Sequence, residues 1–309
     1  MSRRILVTGA AGFVGRKLCA QLNRDGFEVL ATDYAPSDDF DVYRTCDFSQ
    51  PDDITAMMEW AGSLDGIFHL AAITFVPDAA ADPAGVMRVN LEGTQHLIQA
   101  MRDKSDSPRL IFIGSSETYG APQSLPVDET HPLNPNNPYA ISKTAADEYC
   151  SYAHETWGLD IVRMRPFNHS GPGQSDKFVL SSFARQVADI EAGRSDAVMQ
   201  VGNLDVARDF SHVDDMLRAY GLAFEKGTSG AVYNVCSGQA HSVREALDYL
   251  LGQIDVDVEA KSDPERMRVS DIPEVRGSYA AFQTDTGWEP EISFTQLLDD
   301  LLAYWRTHS

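Results

Sequence analysis

At 309 residues the chain exceeds the usual single domain of about 100–200, so a large fold or two joined lobes is expected. Its 25 Lys and Arg against 46 Asp and Glu give a formal charge of −21. That balance excludes a nucleic-acid partner, because neutralising phosphates takes a surplus of basic side chains. Cys19, Cys46, Cys150 and Cys236 match no zinc or redox spacing and read as reduced thiols of a cytoplasmic protein. The apolar run after Arg3 and Arg4 is too short for a signal peptide, and no stretch is long enough to cross a membrane, so no membrane partner is expected.

In chain order, residues 4–8 form a short β-branched strand that runs into Thr8-Gly9-Ala10-Ala11-Gly12-Phe13-Val14-Gly15. Residues 15–26 follow as a helix, with Val14, Leu18 and Leu22 at helical spacing. Next come a strand over 28–32, a helix over 55–62, a strand over 66–70, a helix over 86–101 and a strand over 109–113. Residues 121–138, with five prolines, form a long loop before a helix over 139–157. That helix carries Ala146, Tyr149, Cys150, Ala153 and Trp157 on one stripe, and a strand over 159–165 follows it. Strands alternating with helices imply parallel βαβ units, hence an α/β fold with a Rossmann-type doubly wound parallel sheet. The second half is less regular, with helices over 178–193, 242–254 and 294–306 and a strand over 232–236. It reads as a smaller C-terminal α/β lobe. Residues 1–167, with returning segments near 208–237, make the sheet lobe, and 168–309 make most of the other.

The glycine turn follows a strand and opens a helix. Gly9 permits the tight turn, Gly12 lets a pyrophosphate approach the backbone, and Gly15 lets the helix pack on the sheet. With Phe13 and Val14 this is a dinucleotide site. Asp33 ends the second strand, where a carboxylate hydrogen-bonds the adenosine ribose and repels a 2′-phosphate. It favours NADH within an NAD(P)H assignment, against the pull of nearby Arg16 and Lys17.

Tyr139 and Lys143 stand four residues apart, hence on one helix face. An unperturbed phenol, with a pKa of about 10, is a poor acid or base at neutral pH, and a neighbouring ammonium is expected to lower it. Gly114-Ser115-Ser116-Glu117 follows the strand over 109–113, and side chains beyond strand ends face the ligand crevice. Ser115, Tyr139, Lys143 and Glu117 are the candidate catalytic set. Asp214-Asp215 reads as a cap and first-turn acid instead of a metal site, and no metal is expected. His169 reads as a hydrogen-bonded turn residue.

These residues resemble the extended short-chain dehydrogenase/reductase family along nearly the whole chain. The turn Thr8–Gly15, the segment His69-Leu70-Ala71-Ala72, Asn90 with Gly93-Thr94, and the Tyr139/Lys143 pair are similar to that family's motifs. Asp47 and Phe48 resemble its adenine-side pair. The resemblance therefore implies that Leu70, Ala71, Ala72, Asn90, Asp47 and Phe48 join Tyr139 and Lys143 at the cofactor. Arg165-Pro166-Phe167-Asn168-His169-Ser170-Gly171-Pro172-Gly173-Gln174 looks like the signature of GDP-4-dehydro-6-deoxy-mannose reductases. The match continues through Arg208-Asp209-Phe210, 232–239 and 263–268. It implies a GDP-sugar substrate held by Thr74, Ser115, Ser116, Glu117, Asn168, Val179, Arg208 and Arg268, with the two arginines on the diphosphate. It also implies a homodimer formed through the helices over 86–101 and 139–157. Ser115-Ser116-Glu117 matches in part the tripeptide of nucleotide-sugar 4,6-dehydratases. A dehydratase, a 4-epimerase or a bifunctional dehydratase/reductase are the enzymatic alternatives, and a non-catalytic nucleotide sensor is the alternative of another class.

Overall fold

In the computed structural model, which describes residues 2–104, 107–264 and 272–308, strand β1 (Arg4–Thr8) enters helix α1 (Phe13–Arg24) through the glycine turn. There follow β2 (Glu28–Asp33), β3 (Tyr43–Thr45), α2 (Pro51–Ala61), β4 (Gly66–His69), α3 (Val76–Ala81) and α4 (Pro83–Met87). A π-helical turn (Arg88–Glu92) joins α4 to α5 (Gly93–Arg102), so the helix expected over 86–101 carries a bulge in its middle. Strand β5 (Arg109–Ile113) ends at a 3-10 turn (Ser116–Tyr119), and α6 (Pro138–Trp157) leads to β6 (Ile161–Pro166). Helix α6 starts where it does because Asn137 accepts from the Ala140 N–H at 2.9 Å and Pro138 opens the first turn; Gly158, with φ +68°, ends it.

The second half holds β7 (Asn168–Ser170), α7 (Val179–Glu191), β8 (Val198–Val201), β9 (Ala207–His212) and α8 (Val213–Lys226). It continues with β10 (Val232–Val235), β11 (Ala240–Ser242), α9 (Val243–Leu251), β12 (Glu259–Ser262), β13 (Glu274–Val275), α10 (Ala280–Thr286) and α11 (Phe294–His308). At the start of α8 the cap is His212, whose Nδ1 accepts from the Asp214 N–H at 3.1 Å, so the 214–215 pair supplies first-turn acids only. Asp215 is fully buried, where it accepts from the Glu291 and Ile292 N–H groups and from Arg218.

Seven parallel strands run in the order β10-β6-β5-β4-β1-β2-β3. Their apolar runs, such as Leu110-Ile111-Phe112, are buried because helices cover both faces. One face packs Leu18, Leu22, Met216, Tyr220 and Phe224 of α1 and α8. The other packs Met57, Leu97, Ile98, Ala146 and Cys150 of α2, α5 and α6. The order reverses at β1, which has β2 on one side and β4 on the other, and this opens a crevice at the carboxyl ends of the strands. Helices α7, α9 and α11 build a separate core with Phe183, Val187, Leu250 and Leu298. The four cysteines are buried and unbridged. No helix among the described residues is long and apolar enough to cross a membrane.

Candidate active site

A cavity of about 1000 Å³ occupies the crevice and reaches into the second lobe. It brings together Gly9, Gly12, Phe13, Val14, Gly15, Asp33, Asp47, Phe48, Leu70, Ala71, Ala72, Thr74, Ser115, Ser116, Glu117, Tyr139, Lys143 and Asn168. Asn90, Val179 and Arg208 do not line it. Arg268 lies outside the described residues.

Backbone proximity dictates the glycine turn. Gly9 has φ +69°, and a Cβ there would stand 2.8 Å from the Ala71 nitrogen. A Cβ on Gly15 would run into the Gly9 carbonyl oxygen. Gly12 begins α1 with no side-chain cap, and the first turn carries no acidic residue. The helix N–H groups therefore face the cavity with their partial positive charge uncompensated, as a diphosphate requires. Asp33 accepts from the Ala11 N–H at 2.9 Å and the Tyr34 N–H at 2.8 Å, which fixes its carboxylate beside the turn. Arg16 reaches the same rim but is engaged by Asp39 and the Ala11 carbonyl. These residues fit a dinucleotide.

A buried hydrogen-bond chain ties the turn to α6. Thr8 Oγ1 accepts from the Ala71 N–H and donates to His69 Nδ1 at 2.8 Å. Thr94 Oγ1 donates to the Asn90 carbonyl at 2.7 Å, so it accepts from His69 Nε2 at 3.0 Å. Asn90 Nδ2 donates to Ser142 Oγ at 2.9 Å, and Ser142 donates to the Tyr139 carbonyl at 2.8 Å. Burial, with Lys143 nearby, brings His69 down to about 3, so it is a neutral link. Asn90 also braces Ile73 through both backbone groups from the centre of the π turn, so its side chain holds the wall in place without facing the cavity. Thr8 and Thr94 carry no residue-level sign of this role, because the chain closes only when β1, β4 and α5 meet.

At the inner end, burial pushes the Tyr139 phenol up to about 12; a hydrogen bond with Ser115 opposes this, and the charge of Glu117 adds to it. Ser115 Oγ also accepts from the Glu117 N–H at 3.2 Å, and Asn137 Nδ2 donates to Glu117 Oε2 at 3.4 Å. Burial lowers the Lys143 ammonium to about 8, with Cys150 and Asp147 opposing, and Nζ donates to the Ile113 carbonyl at 2.7 Å. The lowering of the phenol expected from the ammonium is not what the structure shows: desolvation raises the phenol, and the opposing influence is the Ser115 hydrogen bond. The arrangement suits a proton donor: a neutral phenol sharing a hydrogen bond with a serine hydroxyl, above a buried ammonium.

Among the other residues that line the cavity, His169, Phe75, Phe178 and Tyr220 stand out. His169 is half-buried, with Nδ1 3.0 Å from the Phe167 carbonyl, and desolvation lowers its pKa. Phe75 and Phe178 meet edge to face, with ring centres 5.7 Å apart, and so join the wall of the sheet lobe to the start of α7. Tyr220 of α8 reaches the cavity from the other face of the sheet, yet its place on an apolar helical stripe reads as core in sequence. Arg208 donates to the Ala207 and Ile272 carbonyls at 2.8 and 2.7 Å. Among the described residues, no His, Cys, Asp or Glu cluster is arranged to hold a metal ion.

The family model described as GDP-mannose 4,6 dehydratase matches residues 6–301. The chain is 40% identical to a GDP-6-deoxy-D-mannose reductase of Pseudomonas aeruginosa, over 99% of this chain and 98% of that protein. A UDP-glucose 4-epimerase of Streptomyces lividans is 29% identical, over 100% of this chain and 97% of that protein. Among solved structures, the Pseudomonas aeruginosa protein RMD complexed with NADPH superposes with a TM-score of 0.89 at 38% identity, with both chains covered completely. The Thermus thermophilus UDP-glucose 4-epimerase with NAD superposes with a TM-score of 0.87 at 26% identity, over 98% of this chain and 99% of that one. With its glycine turn, its Ser115/Tyr139/Lys143 cluster and a family match along nearly its whole length, the chain belongs to the GDP-mannose 4,6 dehydratase family of extended short-chain dehydrogenases/reductases.

Proposed function

We propose that this protein is an NAD(P)H-dependent oxidoreductase that reduces the 4-keto group of a GDP-4-keto-6-deoxy-hexose, converting GDP-4-dehydro-6-deoxy-D-mannose to GDP-D-rhamnose. The observation that carries this reading is the 40% identity to the Pseudomonas aeruginosa GDP-6-deoxy-D-mannose reductase across 99% of the chain. When bound, the reduced nicotinamide supplies a hydride to the keto carbon. Tyr139 gives its phenolic proton to the oxygen that becomes the alcohol, and Ser115 hydrogen-bonds the same oxygen. The buried Lys143 ammonium stabilises the phenolate that Tyr139 becomes, before the phenol regains a proton from solvent. The α1 N-terminus and the glycine turn hold the cofactor diphosphate, with Leu70, Ala71, Ala72, Asp47 and Phe48 along its length. Asn90 acts on the cofactor site through the wall it braces.

For the sugar nucleotide, Thr74, Ser116, Glu117 and Asn168 are the cavity-side contacts, and Val179 begins the helix that follows Phe178. Arg208 and Arg268 are the candidates for the substrate diphosphate. Arg208 is anchored on the Ile272 carbonyl, at the border of the segment that carries Arg268. Binding energy from this remote group positions C4. The fixed carboxylate of Asp33 favours NADH over NADPH, because a 2′-phosphate placed beside it is repelled. The protein acts in the cytoplasm as a homodimer.

Glu117 supports a second reading. It lines the cavity next to Ser115 and Tyr139, which is where a base for dehydration of GDP-mannose would stand. A substrate panel separates the two. A GDP-4-keto-6-deoxy sugar should consume NADH or NADPH stoichiometrically, with the higher kcat/KM for NADH, while GDP-mannose alone is left unchanged. Turnover of GDP-mannose without net change in the cofactor would establish the dehydratase instead.

A further inference from the structure

Buried polar atoms in a native protein are nearly always hydrogen-bonded, so an exception calls for an explanation. Among the described residues, the Tyr220 hydroxyl is buried with no hydrogen-bond partner. Of the residues with such an atom, Tyr220 lines the large cavity; Thr32, Ser211 and His212, for example, do not. Its place in the fold is specific. Helix α8 packs on β5 and β6, and the Tyr220 ring belongs to the apolar cluster that includes Ala10 of the glycine turn, Ile113 at the end of β5 and Met164. The phenol therefore comes up from the α1/α8 face of the sheet, opposite the face that carries Tyr139 and Lys143.

Two observations fix which end of the cavity it serves. Tyr139 is close enough for its charge to act on Tyr220, adding to the upward shift that burial imposes on the Tyr220 phenol. Ile113, a member of the same cluster at the end of β5, is the residue whose carbonyl holds Lys143 Nζ. Asp33 at the end of β2, and Asp47 and Phe48 just after β3, line the adenosine side of the cleft across the sheet. With its pKa raised, the Tyr220 phenol keeps its proton at physiological pH and can act only as a neutral donor or acceptor. No protein group among the described residues supplies the acceptor.

We propose that Tyr220 is a further cofactor-binding residue, whose hydroxyl donates a hydrogen bond to the nicotinamide half of the dinucleotide from the sheet face opposite Tyr139. The proposal rests on the nicotinamide reading above. It gives this chain a reason to keep a polar atom in an otherwise apolar helix face: no protein group among the described residues partners the hydroxyl, and a cofactor amide beside it would.

The test compares wild type with Tyr220→Phe, which keeps the ring and removes the hydroxyl. Calorimetric titrations use two ligands, the preferred reduced dinucleotide and ADP-ribose, which lacks the nicotinamide. Thermal unfolding is followed in parallel without ligand. The expected result is a rise in the dinucleotide Kd of about fivefold, the worth of one neutral hydrogen bond, with the ADP-ribose Kd unchanged. The ligand-free variant should unfold at a temperature no lower than wild type, because the removed hydroxyl has no protein partner among the described residues. Equal weakening toward both ligands, no weakening toward the dinucleotide, or a destabilised ligand-free variant would each overturn the proposal. Failure of the wild type to bind either NADH or NADPH would sink the nicotinamide reading itself, and is distinguishable because it appears before any substitution is made.

Discussion

Tyr139 and Lys143 lie one helical turn apart on α6, and burial moves them in opposite directions, the phenol up to about 12 and the ammonium down to about 8. Both shifts favour the neutral form, which is what loss of water does to any ionisable group. For reduction the phenol must hold its proton and the ammonium must hold its charge, so Lys143 sets the working range. A lysine whose pKa is depressed loses its proton as pH rises through that lowered value. The pH profile of kcat/KM in the reductive direction should accordingly fall above about 8, while the phenol stays protonated throughout. A profile flat well into the alkaline range would remove Lys143 from its assigned role. The direction of the Tyr139 shift was not legible in the sequence. The Tyr139-to-Lys143 spacing gives proximity, but the packing that strips water from both groups comes from elements as distant as β5 and the 3-10 turn at Ser116–Tyr119, and only the assembled fold decides which effect wins.

Helix α6 is held in place by charge as well as by its apolar stripe. Asp147 is fully buried and pairs with Arg163 and Arg165 of β6 at 2.9 Å each, and Arg165 also donates to the Tyr119 hydroxyl at 3.1 Å. The helix that carries Tyr139, the strand beside it and the turn that carries Ser115 and Glu117 thus share one buried network. Removing Asp147 would leave two guanidinium groups uncompensated. Asp147→Ala should cost on the order of 3–5 kcal/mol in stability, read from denaturant unfolding; a loss below about 1 kcal/mol would show that water compensates the arginines. Elements with strong local signals were legible: the glycine turn, the β-branched strands of the first half, and α6 with its proline and asparagine entry. Strands β3, β7, β8, β9, β11, β12 and β13 were not, since none carries the continuous buried apolar run of the legible strands and each exists through its pairing partner. The π turn at Arg88–Glu92 was missed for a similar reason, since Asn90 is drawn toward Ile73 and Ser142 by contacts outside its own helix.

At the scale of the molecule, the second half of the chain returns to complete the first. Strand β10 extends the sheet beside β6, α8 covers its face, and the Phe75–Phe178 contact spans the cavity wall between the lobes. The acidic surface implied by a net charge of −21 leaves recognition of an anionic substrate to a few placed donors within the cleft. On the outer side of α6, Tyr152 is 48% exposed and Ile141 45%, and Tyr152 packs edge to face on Trp157. An apolar surface of this kind on the helix proposed to pair with a second copy should make dimerisation sensitive to charge. Tyr152→Glu is expected to shift the protein from dimer to monomer in size-exclusion chromatography with light scattering, whereas an unchanged dimer would place the interface elsewhere. The proposed GDP-sugar half of the site rests mainly on the Arg165–Gln174 motif, because short recognition segments of this lobe carry no periodic signal of their own.

Transfer of hydride from the cofactor to C4 of the sugar is tested by supplying the reduced cofactor deuterated at its transferable position together with GDP-4-dehydro-6-deoxy-D-mannose, and reading the product by mass spectrometry and NMR. The predicted result is one deuterium at C4 of a GDP-6-deoxy-hexose for each cofactor oxidised. An unlabelled product formed with the cofactor pool unchanged would contradict it.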